Sequence, residues 1–423
     1  MNNNDLKKIN IFIFLLLFFT IISGYYLNED SLGGAKNDFF HHLPIAQSFN
    51  INFNETWNKF GIDPGTRNSP VFWVFVSYLI KFISIDLFRF LNIFIAPLIV
   101  IVFYKCLLIK FKNYNRNLLF LIACTVYLSP TIRSLTIWPY SLIWGILFFL
   151  ISIYYFLLFL ENSNKNQKFK FSILSSFFLI FAAYIFPSFA VFYFFLFIKF
   201  FQELDIKKII NLLIFCAMIS LPAFYYFISK DIYSAFKRAE GIKNLDGLTD
   251  FNLSNKIIII TTIYLYLLIP FLDFQKILIN LKKNINFRTL FFLTFFAIIN
   301  IYYFNYPYFD GGGFGGGFFH KLSYILFNNY YFLYIVFFIS LIIFYIVLEK
   351  NYENFLLFVL TIFSNPQFTI YNKYFDPIII ILFFLLFKID MKKYFFNQKY
   401  KLIKLYILLT LYLVISLSKK YFI

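Results

Sequence analysis

The sequence predicts an all-α polytopic membrane protein. Hydrophobic residues make up 61% of the 423 residues and charged residues only 14%, whereas a soluble domain is about 45–50% apolar and about 25% charged. Apolar runs of roughly 17–25 residues recur along the whole chain, which is the length that a helix needs to cross a bilayer.

The lysines orient the chain. Lys7 and Lys8 precede the first apolar run, and the positive-inside rule then places the N-terminus in the cytoplasm. Residues 28–69 are therefore outside and the basic segment 105–116 is inside, so only one of the two apolar stretches between them crosses. We expect the stretch 70–85 to be an amphipathic or re-entrant helix on the outer face, within a first outer loop of residues 28–86.

The remaining runs alternate across the membrane and bring the total to about 13 helices, within a range of roughly 11–14. They are expected near 9–27, 87–104, 117–137, 140–160, 171–186, 187–202, 209–229, 257–275, 289–305, 329–348, 354–371, 375–388 and 403–418. We expect a single transmembrane domain over 1–423, with a second outer loop at 305–328 that is rich in glycine. The net charge of +18 follows mainly from the inside loops and does not indicate a nucleic-acid partner.

Ionisable residues are concentrated in the first outer loop. Its segment 28–69 holds five of the 20 acidic residues and two of the three histidines, and ionisable groups in membrane proteins are functional candidates by default. Asp38 and His42 are four residues apart, so on a helix they would share one face. A carboxylate at the outer surface suits a general base that deprotonates a hydroxyl. A solvated or cation-pairing loop is the alternative interpretation.

A second constellation is the run 310–321, which contains six of the 14 glycines and ends in His320 and Lys321. Glycines let backbone N–H groups approach a phosphate, and a lipid phosphate needs cationic donors. A flexible loop is the alternative. Arg133 and Lys373 lie at outer helix ends, where each is equally suited to contact a phosphate or to extend into the interface.

The signals for metal and cofactor binding are incomplete. Asp38 with His41 or His42 offers ligands to a divalent cation, but the ligand set is not complete, so a cation stays open and no other cofactor is indicated. No Walker, HExxH or GxSxG motif appears, which argues against an ATP-driven pump, a zincin and an α/β hydrolase.

The first outer loop resembles that of a known family. The run 38–47, Asp-Phe-Phe-His-His-Leu-Pro-Ile-Ala-Gln, is followed by Trp57 and by Thr66-x-x-Ser69-Pro70. This order is similar to the first lumenal loop of the eukaryotic dolichyl-phosphate-glucose α-1,2-glucosyltransferases, which reads Asp-Glu-x-x-His-x-Pro-x-Ala-Gln, then a Trp and a Thr-Thr-Pro-Pro turn. More broadly the chain resembles the GT-C superfamily, whose members have a long first outer loop with a catalytic acidic residue.

The chain also departs from that family, with Phe39 in place of a second acidic residue and Lys373 in place of a late arginine. The resemblance implies transfer of a sugar from a polyprenyl-phosphate donor to a glycan, lipid or protein acceptor on the outer face, with inversion. Asp38 would be the base, and His42 would orient the acceptor or the donor phosphate. The residues predicted to bind substrate are His41, Gln47, Trp57, Arg67, Arg133, His320, Lys321, Lys373 and Tyr374. A bacterial-type relative in the inner (plasma) membrane, acting on another glycan, fits as well as a glucosyltransferase.

Two other function classes stay open. An O-antigen polymerase or lipid-oligosaccharide ligase would place Arg and His on a large late outer loop, and the late loops here offer only His320, Lys321 and Lys373. A transporter would show broken helices and paired halves, and the sequence shows prolines inside apolar runs but no internal repeat.

Overall fold

The regular structure is helical wherever the computed structural model describes the chain. It describes residues 3–60, 69–229, 252–273, 285–306, 315–348, 351–365, 369–389 and 400–422, and the single residues 279 and 281. One isolated bridge, between Gly315 and Ile370, is the exception within these ranges. The predicted all-α class is therefore confirmed for the described residues.

The helices up to residue 229 are α1 Asn3–Tyr26, α2 Ala35–Ile51, α3 Phe53–Lys59, α4 Pro70–Leu79, α5 Ile85–Asn92, α6 Ile95–Lys110, α7 Arg116–Cys124, α8 Pro130–Ile137, α9 Ser141–Glu161, α10 Lys165–Ile185, α11 Phe192–Glu203 and α12 Ile206–Ser229. The later ones are α13 Leu253–Leu268, α14 Phe287–Tyr302, α15 Gly317–Phe327, α16 Tyr331–Val347, α17 Tyr352–Phe363, α18 Asp376–Leu385 and α19 Tyr400–Phe422.

Seven helical segments of the described ranges are long and apolar enough to cross a membrane, or eight if a bent pair is one span. The seven are Lys8–Tyr26, Ile85–Lys110, Ser141–Glu161, Lys165–Ile185, Ile206–Tyr226, Leu253–Phe271 and Tyr400–Ser418. The chain is thus an integral, multi-pass membrane protein. The total of 13 spans stays a prediction, since α14, α16 and α17 have only 16, 17 and 12 residues and a span needs about 20.

The bent pair joins Arg116–Leu128 to Pro130–Ile137 at an angle of 63°. Its break has a local cause, because Pro130 lacks the backbone N–H that would continue the helix and disfavours a helical conformation at Ser129. Ser129 instead caps α8, its hydroxyl accepting a hydrogen bond from the Ile132 N–H at 3.2 Å. The segment predicted as one span at 117–137 is therefore divided, and Arg133 lies in its second part.

The stretch predicted as an amphipathic or re-entrant helix over 70–85 forms the ten-residue helix α4, which ends at Leu79. Pro70 stands at its first position, where a missing N–H costs nothing, and Ser69 caps it. Ten residues are too few to cross a bilayer. The position of this helix on the outer face, and the outer loop 28–86 as a whole, stay predictions.

The chain divides into two compact units. Unit 1 comprises residues 1–249 and 411–423, and unit 2 comprises residues 250–410. In unit 1, small polar residues let α9 and α10 pack closely, and the Ser152 hydroxyl donates to the Ser175 carbonyl at 2.7 Å. In unit 2, α13 is buried over nearly its whole length. The predicted single transmembrane domain over 1–423 stays a prediction.

Candidate functional site

The run that resembles the transferase loop lies on α2 of unit 1. Asp30 fixes the start of this helix, because its two carboxylate oxygens accept the backbone N–H groups of Ala35 at 3.1 Å and Lys36 at 3.3 Å. An acidic side chain at a helix N-terminus satisfies N–H groups that have no partner in the helix and stabilises the helix dipole. The first turn of α2 is therefore well positioned.

Asp38 and His42 share one face of this helix, one turn apart. Asp38 is half-buried in the first turn, and its N–H donates to the Gly34 carbonyl at 2.9 Å. His42 is buried, with 8% of its surface exposed. His41 is exposed. The helical spacing that the sequence predicted for this pair is present in the structure, whereas their catalytic roles stay predictions.

His42 packs against two aromatic rings that also contact each other. Its ring centroid lies 5.1 Å from that of Trp73 on α4 and 5.9 Å from that of Tyr140, just before α9. Trp73 is fully buried, and its indole N–H has no hydrogen-bond partner among the described residues. A buried donor of this kind usually serves a bound water or ligand, so the surroundings of His42 suit a polar group.

Glu29, which follows α1, and Arg133 of α8 form a buried ion pair, here called the clasp. The Arg133 Nε and one Nη donate to the two carboxylate oxygens of Glu29 at 2.7 and 2.6 Å. The other Nη donates to the Thr20 hydroxyl at 2.8 Å, and the Nη that bonds Glu29 also donates to the Thr20 carbonyl at 3.0 Å. Because four hydrogen bonds already engage its guanidinium, this pairing does not favour a lipid-phosphate contact for Arg133, and that contact stays a prediction.

The acidic residues of the first outer loop have different environments. Glu29 forms the clasp, Asp30 caps α2, and Glu55 pairs with a lysine in the exposed helix α3. Asp63 lies outside the described residues. Glu29 and Asp30 are buried and engaged in holding the fold, which makes them poor proton acceptors for a substrate. Asp38, which is half-buried and one helical turn from His42, is the better candidate.

The other residues predicted to bind substrate in this loop lie further along the chain. Gln47 is exposed on α2. Trp57 packs in an aromatic cluster with Phe53 at 6.0 Å and Tyr226 at 5.5 Å between ring centroids. Trp57 thereby joins α3 to the end of α12, which is a packing role. Arg67 lies outside the described residues.

In unit 2, the end of the Gly-rich run lies against residue 370. The Gly316 N–H donates to the Ile370 carbonyl at 2.9 Å. Gly315 and Gly316 have φ values of +86° and +89°, and a Cβ on Gly315 would lie 2.2 Å from the Ile370 carbonyl oxygen. Only glycine fits this close approach. The approach places the end of the Gly-rich run 310–321 next to the segment that carries Lys373 and Tyr374, whereas residues 310–314 lie outside the described residues.

His320 is buried among aromatic rings. Its ring stacks on Tyr330 at 5.4 Å and meets Tyr306 edge-on at 5.1 Å. Burial, together with the neighbouring charge of Lys321, lowers the pKa of His320 to about 4. The imidazole is therefore neutral at neutral pH, which does not favour a cationic donor at this position. Its contact with a substrate stays a prediction.

Lys321 and Lys373 are half-exposed cations of unit 2. Lys373 lies in a 3₁₀ turn, and its Nζ is 5.2 Å from the ring centroid of Tyr371 and 5.5 Å from that of Tyr374. Tyr374 is buried. Cation–π contacts at a partly exposed site contribute about 0.5–1 kcal/mol, and contact of Lys373 with an anionic ligand stays a prediction.

Several buried ionisable residues were missed by the sequence reasoning. Among them are Arg89, Lys256 and Asp376, at 8%, 1% and 2% exposed. Each of these three stands within, or at the start of, an apolar run, so the rule that intramembrane ionisable residues deserve a functional hypothesis would have found them. Arg89 lies against the rings of Trp138 and Tyr25.

No family model matches the chain, and neither a curated protein nor a solved structure does. Within the described ranges, no three His, Cys, Asp or Glu side chains converge as metal ligands would. The divalent cation left open by Asp38 and the histidines stays a prediction.

Proposed function

We propose that the chain transfers a sugar from a polyprenyl-phosphate donor to an acceptor hydroxyl on the outer face of the membrane, with Asp38 as general base. The acceptor would be a glycan, a lipid or a protein. The observation that supports this most is the placement of Asp38 and His42 on one face of a helix that Asp30 caps. The resemblance of the run 38–47 to the transferase loop supports it independently.

The proposed reaction is a single displacement. The acceptor oxygen forms a bond to the anomeric carbon while the bond from that carbon to the phosphate oxygen breaks, so the configuration inverts. The acceptor proton passes to the Asp38 carboxylate, and the polyprenyl phosphate leaves with its electron pair. A positioned base of this kind contributes about 10²–10⁴-fold to the rate.

The aromatic surroundings of His42 fit this chemistry. His42 packs against Trp73 and Tyr140, which restricts its ring, so it is suited to orient a hydroxyl or phosphate oxygen by a hydrogen bond. Lys321 and Lys373 are the cations that we still expect to contact the lipid phosphate. Arg133 is occupied by Glu29, and it enters the proposal only as a residue that holds the fold.

The test is transfer from a panel of radiolabelled polyprenyl-phosphate sugars in membranes that contain the wild type, Asp38→Asn or Glu55→Gln. Glu55→Gln is the matched control, because it removes an exposed carboxylate from the same loop. We expect the wild type to use at least one donor, Asp38→Asn to lose about 10²–10⁴-fold of that rate, and Glu55→Gln to keep it. Equal transfer by wild type and Asp38→Asn would exclude Asp38 as the base.

A transporter is the second candidate, and one observation favours it. The bent pair Arg116–Leu128 and Pro130–Ile137 is a discontinuous helix, the kind of element that forms substrate sites in transporters. Absence of transfer by the wild type from every donor, together with solute uptake that depends on the chain, would favour this reading. An O-antigen polymerase or ligase has no comparable support among the described residues.

A further inference from the structure

Arg89 is a buried cation at the start of a membrane span. It lies in α5, within the first two turns of the span Ile85–Lys110, and its side chain is 9% exposed. Its guanidinium carbon lies 3.7 Å from the centre of the Trp138 ring, and 5.2 Å from that of Tyr25. The flat guanidinium therefore stacks on an indole, an arrangement in which its edges stay able to donate hydrogen bonds.

The hydrogen bonds of Arg89 are few and long. One Nη lies 3.4 Å from an Asp86 carboxylate oxygen and another lies 3.4 Å from the Asn28 side-chain oxygen. Its Nε is buried and has no hydrogen-bond partner among the described residues. Charge-assisted hydrogen bonds are usually about 2.7–2.9 Å long, and Asp86 is 81% exposed, so its pairing with Arg89 is weak. Arg89 thus has unused capacity for an anion.

The amine of a second basic residue, Lys36, lies near the same Trp138 ring. Lys36, half-buried in the first turn of α2, has its Nζ 5.4 Å from the centre of the Trp138 ring. Trp138 itself is fixed, because its indole N–H donates to the Glu29 carbonyl at 2.8 Å. Two positive side chains therefore lie near one indole that is held in place by a hydrogen bond, so an anion beside this ring is attracted by both charges.

The position along the membrane span indicates the source of the anion. Arg89 is close to the start of the span that begins at Ile85, and Tyr25 of α1, at the end of the span Lys8–Tyr26, bonds to the Asp86 carbonyl at 3.1 Å. The ends of two spans meet here, together with the amphipathic rings of Tyr25 and Trp138, which are typical of the level of lipid headgroups. The anion available in quantity at that level is a lipid phosphate.

We propose that Arg89 and Lys36, placed against Trp138, bind the phosphodiester group of a membrane lipid. The phosphodiester belongs either to a phospholipid headgroup or to a polyprenyl-phosphate sugar, since both present the same charged group at this level. The inference does not depend on glycosyl transfer, because it concerns lipid binding alone.

The experiment measures lipid binding to the full-length protein purified in detergent, by native mass spectrometry over a concentration series. Three lipids are compared: phosphatidylglycerol, a polyprenyl-phosphate sugar, and a diacylglycerol that lacks phosphate. The variants are Lys36→Gln, Arg89→Gln and, as a matched control with the same loss of one charge, Lys59→Gln in the exposed helix α3. Lys36 is half-buried, and its amine makes no hydrogen bond or ion pair with the described residues, so its variant remains informative if Arg89→Gln does not fold.

We expect the wild type and Lys59→Gln to retain at least one phosphodiester lipid, and Lys36→Gln and Arg89→Gln each to weaken its binding by about tenfold or more, the loss expected for a charge-assisted contact. Diacylglycerol binding should be equal in all four proteins. Stronger retention of phosphatidylglycerol identifies the bound lipid as a phospholipid. Stronger retention of the polyprenyl-phosphate sugar identifies it as the sugar donor. Equal retention of the phosphodiester lipids by wild type and Lys36→Gln, or the same loss in Lys59→Gln, would overturn the inference.

Discussion

Two helices carry candidate site residues, α2 in unit 1 and α15 in unit 2. The contacts that fix the position of each helix differ in kind. Around α2 the fixed points are charged, with the Glu29–Arg133 clasp and the Asp30 cap. Around α15 they are steric, with Gly316 bonded to the Ile370 carbonyl. Charges hold the first region, and backbone shape together with buried aromatic rings holds the second.

Within the region around α2, two buried arginines differ in how many hydrogen bonds they make. Arg133 makes four hydrogen bonds of 2.6–3.0 Å, whereas Arg89, which is also buried, has two contacts of 3.4 Å. Burial alone therefore does not distinguish a structural charge from one that is available to a ligand. The number and length of its hydrogen bonds do.

The largest expected effect is loss of the clasp. Arg133→Met leaves the Glu29 carboxylate buried without its partner, which typically costs about 3–5 kcal/mol, so we expect a large fall in the thermal unfolding midpoint of the purified protein. The control is Lys112→Met, which breaks the exposed pair of Lys112 with Glu161 and should cost about 0–1 kcal/mol. Recovery of most of the loss in a Glu29→Leu, Arg133→Met double variant is also expected, because no charge then stays buried. If Arg133→Met lowered the unfolding midpoint as little as Lys112→Met does, the Glu29–Arg133 pair would not stabilise the fold as described.

The corresponding change in unit 2 is Gly315→Ala. Its positive φ alone costs a non-glycine residue about 1–2 kcal/mol, and the added Cβ would meet the Ile370 carbonyl oxygen at 2.2 Å, so the total loss of unfolding free energy should be larger. Gly34→Ala is the control, since nothing lies within 4 Å of a Cβ there. Thermal unfolding of the two variants measures the contrast, and equal midpoints would mean that the contact with residue 370 is not a fixed point.

A smaller effect, specific to unit 2, is expected from acidification. The pKa of His320 is lowered to about 4 by burial and by Lys321, from an ordinary value near 6.5. As pH falls from 6.5 towards 4, the unfolded state takes up a proton that the folded state does not, and stability decreases. The contribution is present in full above pH 6.5. Unfolding midpoints at pH 7 and pH 5 should therefore differ less in His320→Gln than in the wild type, and an equal difference would contradict burial of a neutral imidazole.

Part of this arrangement could be predicted from the sequence. Apolar runs indicate spans because lipid satisfies no backbone hydrogen bonds, and the four-residue spacing of Asp38 and His42 indicates one helix face. The break of the predicted span 117–137 also has a local signal in Ser129-Pro130, which sequence reasoning left unused. Arg89 was visible as a charge within an apolar run.

The pairing of charges could not be predicted in the same way. Glu29 and Arg133 are separated by 104 positions in the sequence, and nothing local in either residue shows that they meet. The neutral state of His320 likewise depends on Tyr306, which precedes the Gly-rich run. Properties that arise from contacts between distant segments require the folded chain.

The central claim is that the first outer loop separates a structural carboxylate, Glu29, from a functional one, Asp38. The most direct test measures the thermal unfolding midpoint and the sugar-transfer rate on the same preparations of Asp38→Asn and Glu29→Gln. We predict that Asp38→Asn keeps the wild-type midpoint and loses transfer, whereas Glu29→Gln lowers the midpoint because it removes the charge that pairs with the buried Arg133. A fall in midpoint for Asp38→Asn as large as that for Glu29→Gln, or full transfer by Asp38→Asn, would contradict the account.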